Sequence, residues 1–390
     1  VPRICSGGSF TLDLENATLG TGQTYQWQSS PDNTTWTNVG GSLTSPSFTT
    51  THTAPTYYRA AVTCGGNTVY SNSVLVEYGG LSGTYTINSA LPTGGTNFNS
   101  FADAVKHLGA CISGPVVINV VPGSGPYTEQ VTLNPVSGAS ATNTVTFNGN
   151  GETLQYNAAS GTRHTIGLNG ADYITFKKLN IVALNNTFGW GVHLGNGANN
   201  NTIDSCTIDL SAITSAVTTI DNSAGIVVAN SFTDLNADGN ANNNRFTNNT
   251  IKGGYQGIII NGAPTALDAV GNVISGNTIQ DFHSIGIELT DNDGTIISGN
   301  DIHRINRVPV GTFEGIELGT GNRNVLVIDN RIHDTHTAAD PSNQGTAAYG
   351  IFSSADDAPA GSENRIINNA IYNFNSNTGI QYGLYNSSSD

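Results

Sequence analysis

The sequence lacks methionine altogether, and charged residues make up only 11% of its 390 residues. Strong helix formers are scarce, whereas 47 glycines and many Asn, Thr and Ser residues favour turns and strands over helix bundles. The 13 Lys and Arg against 28 Asp and Glu give a net charge of −15, which argues against a nucleic-acid binder. No hydrophobic run approaches 18 residues, so we expect no membrane-spanning helix.

Cysteine is also rare, with four residues at Cys5, Cys64, Cys111 and Cys206. The first two bracket a small N-terminal segment, which predicts a Cys5–Cys64 disulfide and an oxidising, secreted location. Two free thiols are the alternative, and the sequence predicts no pairing for Cys111 and Cys206. The chain begins at Val1 rather than Met, so we expect processing or a longer natural chain.

Residues 1–78 read as short strands between turns such as Pro31-Asp32-Asn33 and Gly65-Gly66-Asn67. Strands at this spacing predict a β-sandwich, with Trp27 as the buried aromatic residue of a central strand. Three stretches stand out: Ile4-Cys5-Ser6-Gly7-Gly8, Tyr25-Gln26-Trp27-Gln28, and Tyr57-Tyr58-Arg59 leading to Cys64. With them the segment resembles the immunoglobulin-like modules of large surface proteins of Bacteroidota-type bacteria.

Residues 79–83 are a short glycine-rich junction, after which Ser100 precedes one amphipathic helix at about 100–108. Phe101, Ala104, Val105 and Leu108 recur at helical spacing on one face. The open end of a repeat fold needs a cover, so we expect this helix to be an N-terminal cap.

From about residue 199 the chain repeats Asn-x-Ile followed by Gly-Ile-x-Leu or a close variant. The repeat asparagines Asn249, Asn277, Asn300, Asn330 and Asn369 are 28, 23, 30 and 39 residues apart. Stacked coils with loops of variable length explain this irregular period, with Ile facing inward and Asn stacking on Asn. A β-propeller, which needs four evenly spaced strands per blade, is the rival fold.

With these repeats, residues 84–390 resemble the right-handed parallel β-helix superfamily, which includes pectate lyases and many surface proteins. The stretches Leu81–Ile87, Gly114–Val117 and Asn169–Phe176 also resemble β-helix segments of proteins exported by the type IX secretion route. The sequence therefore predicts an all-β chain: an immunoglobulin-like sandwich, then a right-handed parallel β-helix with a short capping α-helix. Asp390 falls in a Ser/Asn-rich turn, so we expect the chain to continue with further domains.

Two kinds of side chain repeat on the predicted outer surface. Glu288 and Glu317 hold the same place in adjacent repeats, and so do His303 and His333. Carboxylates one coil apart raise one another's pKa, recruit a cation, or act on a glycosidic bond. The four residues are the candidate catalytic patch, and a solvated polar face is the alternative.

One loop carries the pattern of a calcium site. Asp234, Asn236, Asp238 and Asn240 alternate, and Gly239 stands at the sixth position, as in the first half of an EF-hand loop. Position twelve is Arg245 rather than Glu, which excludes a complete EF-hand. The loop is a candidate Ca²⁺ site, and a plain Asn/Asp turn is the alternative.

The sequence carries no lyase or hydrolase motif in register with the repeats. It therefore favours a non-catalytic structural or adhesive segment of a large extracellular cell-surface or filament protein, whose partners are polysaccharides or surface proteins. The alternative is a polysaccharide-active enzyme, a lyase or a glycoside hydrolase, or a carbohydrate-binding module, using the face near Glu288 and Glu317. Exposed aromatics aligned in a groove would favour binding, and the candidates are Trp190, Tyr255 and Tyr349.

Overall fold

The computed structural model describes all residues except 1–2, 6–7, 18–19, 215–218, 265–268, 337–345, 355–357, 377 and 388–390. The turn expected at Asp390 lies outside the described residues. The chain forms two compact units. The first comprises residues 1–83, 106–116 and 136–143, and the second comprises 84–105, 117–135 and 144–390. The first unit thus takes in two short segments from beyond the predicted junction.

The first unit contains the predicted β-sandwich. Its larger sheet has the order Arg3–Ile4, Val74–Tyr78, Thr56–Cys64, Thr24–Ser30 and Thr37–Asn38, with Asn67–Tyr70 also paired to Thr56–Cys64. A second sheet pairs Phe10–Leu12 with Phe48–Thr50. Trp27 is buried in the core between them, as predicted, together with Leu12, Tyr58 and Val76. Alternation along Thr24–Ser30 turns Tyr25 and Trp27 inward and produces this core.

The disulfide of this unit joins Cys5 to Cys111, so the predicted Cys5–Cys64 pairing is wrong. Cys5 follows the strand Arg3–Ile4, which pairs with Val74–Tyr78 in the larger sheet. Val74–Tyr78 pairs with the beginning of the strand Thr56–Cys64, whereas Cys64 lies at the other end of that strand. Eight residues of extended chain span about 27 Å, far beyond the reach of a disulfide. Cys64 is an exposed free thiol and Cys206 a buried one.

The remaining strands form three stacks, in which strands from residue 127 onward pair in parallel. The first sheet contains, in order, Asn97–Phe98, Leu81–Ile87, Ile112–Val120, Val145–Asn148, Ile174–Lys177, Thr202–Asp204, Arg245–Thr247, Val273–Ser275, Ile296–Ser298, Leu326–Ile328 and Arg365–Ile367. The second contains Tyr127–Thr128, Thr153–Tyr156, Asn180–Ala183, Thr207–Leu210, Thr250–Gly253, Thr278–Gln280, Asp301–His303, Arg331–His333 and Ala370–Tyr372. The third contains Val131–Leu133, His164–Asn169, Gly189–Gly195, Ser223–Val228, Gln256–Asn261, Ile285–Thr290, Phe313–Leu318, Ala348–Ser353 and Gln381–Asn386. A short pair, Ala269–Val270 with Asn292–Asp293, and one 3₁₀ turn, Ile220–Asn222, lie between the stacks.

Each turn of the chain supplies one strand to each sheet, which is the architecture of a parallel β-helix. Isoleucines occupy equivalent inward positions on successive coils, as Ile251, Ile279, Ile302 and Ile332 do in the second sheet. These side chains are fully buried. Such rows bury apolar surface coil upon coil, at about 25 cal/mol per Å² removed from water. The predicted all-β order of sandwich and β-helix is confirmed, and the β-propeller is excluded.

The repeat asparagines form a hydrogen-bonded ladder along one bend of the coil. The side-chain amide of Asn249 donates to Oδ1 of Asn277 at 3.0 Å, and Asn277 donates to Asn300 at 2.9 Å. The same step recurs from Asn300 to Asn330 and from Asn330 to Asn369, each at 2.9 Å. Each Oδ1 also accepts the backbone N–H of the previous asparagine, so the bend leaves these buried polar groups paired.

The predicted helix is present at Phe101–Leu108. Ser100 caps it by accepting the N–H of Asp103 at 3.1 Å, and the carboxylate of Glu129 accepts the N–H groups of Phe101 and Ala102. The Phe101 ring lies 6.1 Å from that of Phe147 and nearly parallel to it. The first turn of the helix therefore packs on the interior of the β-helix, as the cap prediction requires.

Candidate active site

A Gly-Ile pair recurs along the third sheet and controls which side chains reach its outer face. A Cβ atom on Gly315 would lie 2.5 Å from the inward Ile332 and 2.6 Å from the carbonyl oxygen of Gly350, so Gly315 faces the interior. The next residue, Ile316, is fully buried as well. Two consecutive inward residues act as a bulge does, and they bring residues three apart onto the same outer face.

This local geometry brings Glu314 and Glu317 together, one on each side of the Gly-Ile pair. Their side chains are partly buried and hydrogen-bonded to each other. Strand register places Glu288 directly opposite Glu317 on the preceding coil, as the repeat spacing predicts. Gln256, one coil earlier, donates a hydrogen bond from Nε2 to Glu288. We call Glu288, Glu314 and Glu317 the carboxylate cluster.

The cluster holds protons at neutral pH. Burial raises the pKa of Glu288 to about 8, with the charge of Glu317 adding to the rise and the Gln256 hydrogen bond opposing it. Burial, followed by the charge of Glu317, raises the pKa of Glu314, and burial also raises the pKa of Glu317. The Glu314–Glu317 hydrogen bond raises the pKa of Glu314 and opposes the rise for Glu317, so Glu314 is the partner that keeps its proton.

Apart from burial, the only groups that act on these pKa values are the carboxylates themselves and Gln256, so no basic side chain opposes the rises. Among the described residues, no group of three or more His, Cys, Asp or Glu has the arrangement of a metal site. Protonation therefore relieves the repulsion between like charges here. A cluster that contains both a carboxylic acid and a carboxylate can donate one proton and accept another, which is the requirement of general acid–base chemistry.

The aromatic candidates fall in different environments. Trp190 is fully buried and donates from Nε1 to the carbonyl oxygen of Asp221 at 2.9 Å, so it is unavailable to a ligand. Tyr255 is half-buried near the cluster; burial raises the pKa of its hydroxyl, and the charges of the three glutamates raise it further. Tyr349 lies beside Glu314 in register.

Tyr349 belongs to an aromatic group that the sequence alone did not reveal. Tyr349 and Tyr382 continue the row of Glu314, whereas Phe352 and Tyr385 continue the row of its partner three residues on. The rings of Tyr349 and Tyr382 are parallel with centroids 5.8 Å apart, and those of Tyr382 and Tyr385 are 4.9 Å apart. We call these four residues the aromatic strip. It directly continues the outer face that carries the carboxylate cluster.

The two histidines do not join the cluster, which corrects the prediction of one four-residue patch. His303 and His333 lie in the second sheet, in register and with ring centroids 5.2 Å apart. His333 contacts Asp301 at 2.7 Å and Asp334 at 2.6 Å, and its ring stacks on Tyr372. The three residues that follow a repeat asparagine still belong to the second sheet, because the turn to the third sheet begins only afterwards.

The predicted calcium loop is a surface turn in the described residues. Asp234, Asn236 and Asp238 are exposed, and Oδ1 of Asp234 accepts the backbone N–H of Asn236 at 2.9 Å. Oδ1 of Asn240 is buried and has no hydrogen-bond partner within the described part of the chain. The local Asx turn matches the alternative reading, and calcium binding stays a prediction.

Two family profiles match parts of the chain. One, described as "Domain of unknown function (DUF8696)", matches residues 2–79, and another, described as "Right handed beta helix region", matches residues 237–389. No curated protein sequence matches the chain. No helix among the described residues is long and apolar enough to cross a membrane.

Several solved structures are similar to this chain at low identity. An alginate lyase from Paenibacillus sp. str. FPU-7 is 16% identical with a TM-score of 0.40, covering 77% of this chain and 97% of that one. Pectate lyase Pel9A is 13% identical with a TM-score of 0.42, covering 79% and 81%. A Yersinia enterocolitica family 28 exopolygalacturonase is 9% identical with a TM-score of 0.33, covering 93% and 96%.

The prediction of a non-catalytic structural or adhesive segment is wrong against these findings. The similar structures are named for lyase and polygalacturonase activity rather than for structural or adhesive roles.

Proposed function

We propose that this protein is a polysaccharide-active enzyme that hydrolyses a glycosidic bond at the carboxylate cluster. The observation that carries the proposal is the placement of three partly buried glutamates on one outer face, with proton-retaining and proton-accepting members side by side. A polar surface without a catalytic role would gain no stability from burying like charges together, because each buried carboxylate costs free energy unless it is paired or protonated.

The residues take distinct roles in this mechanism. Glu288, held by Gln256 and with a pKa of about 8, stays protonated at neutral pH and donates its proton to the leaving oxygen. Glu317 accepts the Glu314 hydrogen bond and serves as the carboxylate, either as base towards water or as nucleophile. Glu314 positions Glu317 and is not itself required to transfer a proton.

Hydrolysis fits this cluster better than β-elimination does. A lyase abstracts the proton next to a uronate carboxyl group, which calls for a strong base and a cationic group or metal to neutralise that carboxyl. Besides burial, which is the largest cause, only carboxylate groups and the Gln256 amide act on the pKa values of the cluster, and no cationic group is among the causes. A uronate placed there would add a further negative charge to an already repulsive site.

The aromatic strip supports contact with a glycan beside the cluster. On the next two coils, its rings occupy the strand positions that pair in register with Glu314 and Glu317. Tyr382 is 41% exposed. Tyrosine offers an apolar ring and a hydroxyl group together, a combination suited to sugar binding. Glycan binding without catalysis is the second candidate function, and the strip is the observation that favours it.

An extracellular location accords with the Cys5–Cys111 disulfide, because disulfides persist in oxidising compartments. The bacterial cell surface, the type IX route and the likeness of the first unit to immunoglobulin-like modules belong to this proposal as well. So does the absence of a nucleic-acid partner, which rests on the net charge of −15.

A screen of neutral and anionic polysaccharides tests the function. We expect new reducing ends without unsaturated uronates, and a fall in kcat of at least about 100-fold in Glu288→Gln and Glu317→Gln. Glu15→Gln, an exposed carboxylate in the first unit, is the matched control and keeps full activity. Unsaturated uronates would refute hydrolysis. Binding without turnover, lost on Tyr382→Ala but kept in Glu317→Gln, would establish the second candidate function instead.

A further inference from the structure

Unequal turn lengths open a pocket where the second sheet leads into the third. Only two residues connect Thr250–Gly253 to the next strand, and four connect Thr278–Gln280 to its successor. The coils on either side have longer connections, at 211–222 and 304–312. Described residues of these longer connections and of the two shorter turns line a pocket of about 330 Å³ across four successive coils.

Gly253 allows the short turn to lie close to the coil below. Its φ is +80°, a conformation that side chains with a Cβ rarely adopt. A Cβ atom there would also lie 2.9 Å from the backbone carbonyl carbon of Leu210. The floor of the pocket is therefore backbone, and its functional groups come from the walls.

Two basic side chains line the pocket, in a protein that has only 13 Lys and Arg in total. Arg307 is 8% exposed, and its Nε has no hydrogen-bond partner among the described residues. Neither Arg307 nor Lys252 forms an ion pair within the described part of the chain. The charge of Asp281 favours the charged form of Arg307 but makes no ion pair with it, so both basic groups are left to contact an anion from outside.

The acidic groups nearby, including Asp281 whose charge acts on Arg307, accept hydrogen bonds from amide groups instead of forming ion pairs with the two cations in the described part of the chain. Asp281, which also lines the pocket, accepts the backbone N–H of Asn306 at 2.8 Å and its side-chain amide at 3.4 Å. Asp209, one coil from Lys252 in register, accepts the N–H of Ser211 at 2.8 Å. Arg304, whose guanidinium is bound to backbone carbonyls, lies close enough to Arg307 for the two charges to interact.

We propose that this pocket binds the carboxylate group of a sugar acid. Arg307 and Lys252 face the carboxylate, and the guanidinium can bind it through two parallel hydrogen bonds. Ser211, Thr214 and Asn306 supply hydroxyl and amide groups that match sugar hydroxyls. The volume lies at the lower end of the range for small-molecule sites and exceeds what a bare oxyanion fills.

This site is separate from the carboxylate cluster, and the proposal does not rest on the proposed function. A ligand-observed NMR titration of the full chain with sodium glucuronate, glucose and sodium sulfate tests it. We expect glucuronate to bind at least tenfold more tightly than glucose or sulfate. Equal binding of glucose and glucuronate, or no binding of glucuronate, would overturn the proposal. Sulfate binding as tight as that of glucuronate would overturn the assignment to a sugar acid.

Variants make the test specific to the pocket. Lys252→Gln and Arg307→Gln each weaken glucuronate binding at least tenfold, whereas Lys178→Gln, an exposed lysine elsewhere, leaves it unchanged. Because Arg307 is buried, Lys252→Gln is the decisive variant if Arg307→Gln fails to fold. Unchanged affinity in Lys252→Gln would contradict the proposal. Glu317→Gln keeps the affinity of the parent, so failure of catalysis and failure of this site are distinguishable.

Discussion

Replacing Glu288 with glutamine should stabilise the protein at alkaline pH and leave it unchanged in acid. The folded state raises the pKa of Glu288 from 4.5 to about 8, chiefly through burial and then through the charge of Glu317. The folded chain binds this proton more tightly than the unfolded chain does. Once the carboxyl group ionises in the unfolded chain, that ionisation favours unfolding and lowers the free energy of unfolding. The parent therefore loses stability as pH rises from about 4.5 to about 8, and the loss is constant above that.

The size of the effect follows from the shift. Each pKa unit corresponds to about 1.4 kcal/mol, so a rise from 4.5 to about 8 corresponds to about 5 kcal/mol at pH 9. The second unit contains about 290 residues, which gives an unfolding entropy of about 0.6 kcal/mol per kelvin. The Tm of Glu288→Gln should then exceed that of the parent by about 8 °C at pH 9 and by almost nothing at pH 4. Glutamine keeps an oxygen that can accept the Gln256 hydrogen bond, so packing is preserved.

Differential scanning calorimetry of parent and variant at each pH unit from 4 to 9 measures this difference. Glu15→Gln, whose carboxylate is exposed, controls for the loss of one negative charge and should give no pH-dependent gain. A Tm difference of the same size at pH 4 and pH 9 would show that the variant acts through packing alone. A variant less stable than the parent at pH 9 would refute the raised pKa and the acid role assigned to Glu288.

The remaining predictions concern the disulfide, the calcium loop and the asparagine ladder. A non-reduced digest should yield a Cys5–Cys111 peptide pair, and a thiol reagent should label Cys64 in the native protein; a Cys5–Cys64 peptide would refute this. Cys111→Ser should lower the stability of the first unit by about 2–5 kcal/mol in denaturant titration. Calcium should raise the Tm of the parent but not of Asp238→Asn, and a Tm unaffected by chelator would exclude the site. Asn300→Ala should cost at least about 3 kcal/mol, because it leaves several buried partners unpaired, and a loss below 1 kcal/mol would contradict the ladder.

The β-helix was predictable because each of its coils repeats the same short pattern of a buried asparagine and an inward isoleucine. Asn249, Asn277 and Asn300 must each pair a buried amide with the next coil, and each is followed two residues later by an inward isoleucine. Loop length varies between the repeats without disturbing this bend. The helix at Phe101–Leu108 was predictable for a similar reason, because a local periodicity of apolar residues decides its buried face.

The disulfide was not predictable from spacing alone. Cys5 and Cys64 bracket one domain in sequence, but bracketing does not reveal which end of a strand each residue occupies. Antiparallel pairing places Cys64 at the end of the strand Thr56–Cys64 that lies away from Arg3–Ile4 and Cys5. The partner, Cys111, enters the first unit from a segment beyond the predicted junction. Tertiary docking of a distant segment leaves no local signal in the sequence.

The candidate site was predictable only for the residues related by whole repeats. Glu288 and Glu317 share a position after the repeat glycine, so their register follows from the sequence. Simple alternation along the strand would place Glu314 on the opposite face from Glu317, because they are three residues apart. The inward Gly315–Ile316 pair reverses that expectation. If both residues of a repeat Gly-Ile pair face inward, the residue directly before the pair faces outward. Glu314 could therefore have been predicted from the sequence as a neighbour of Glu317.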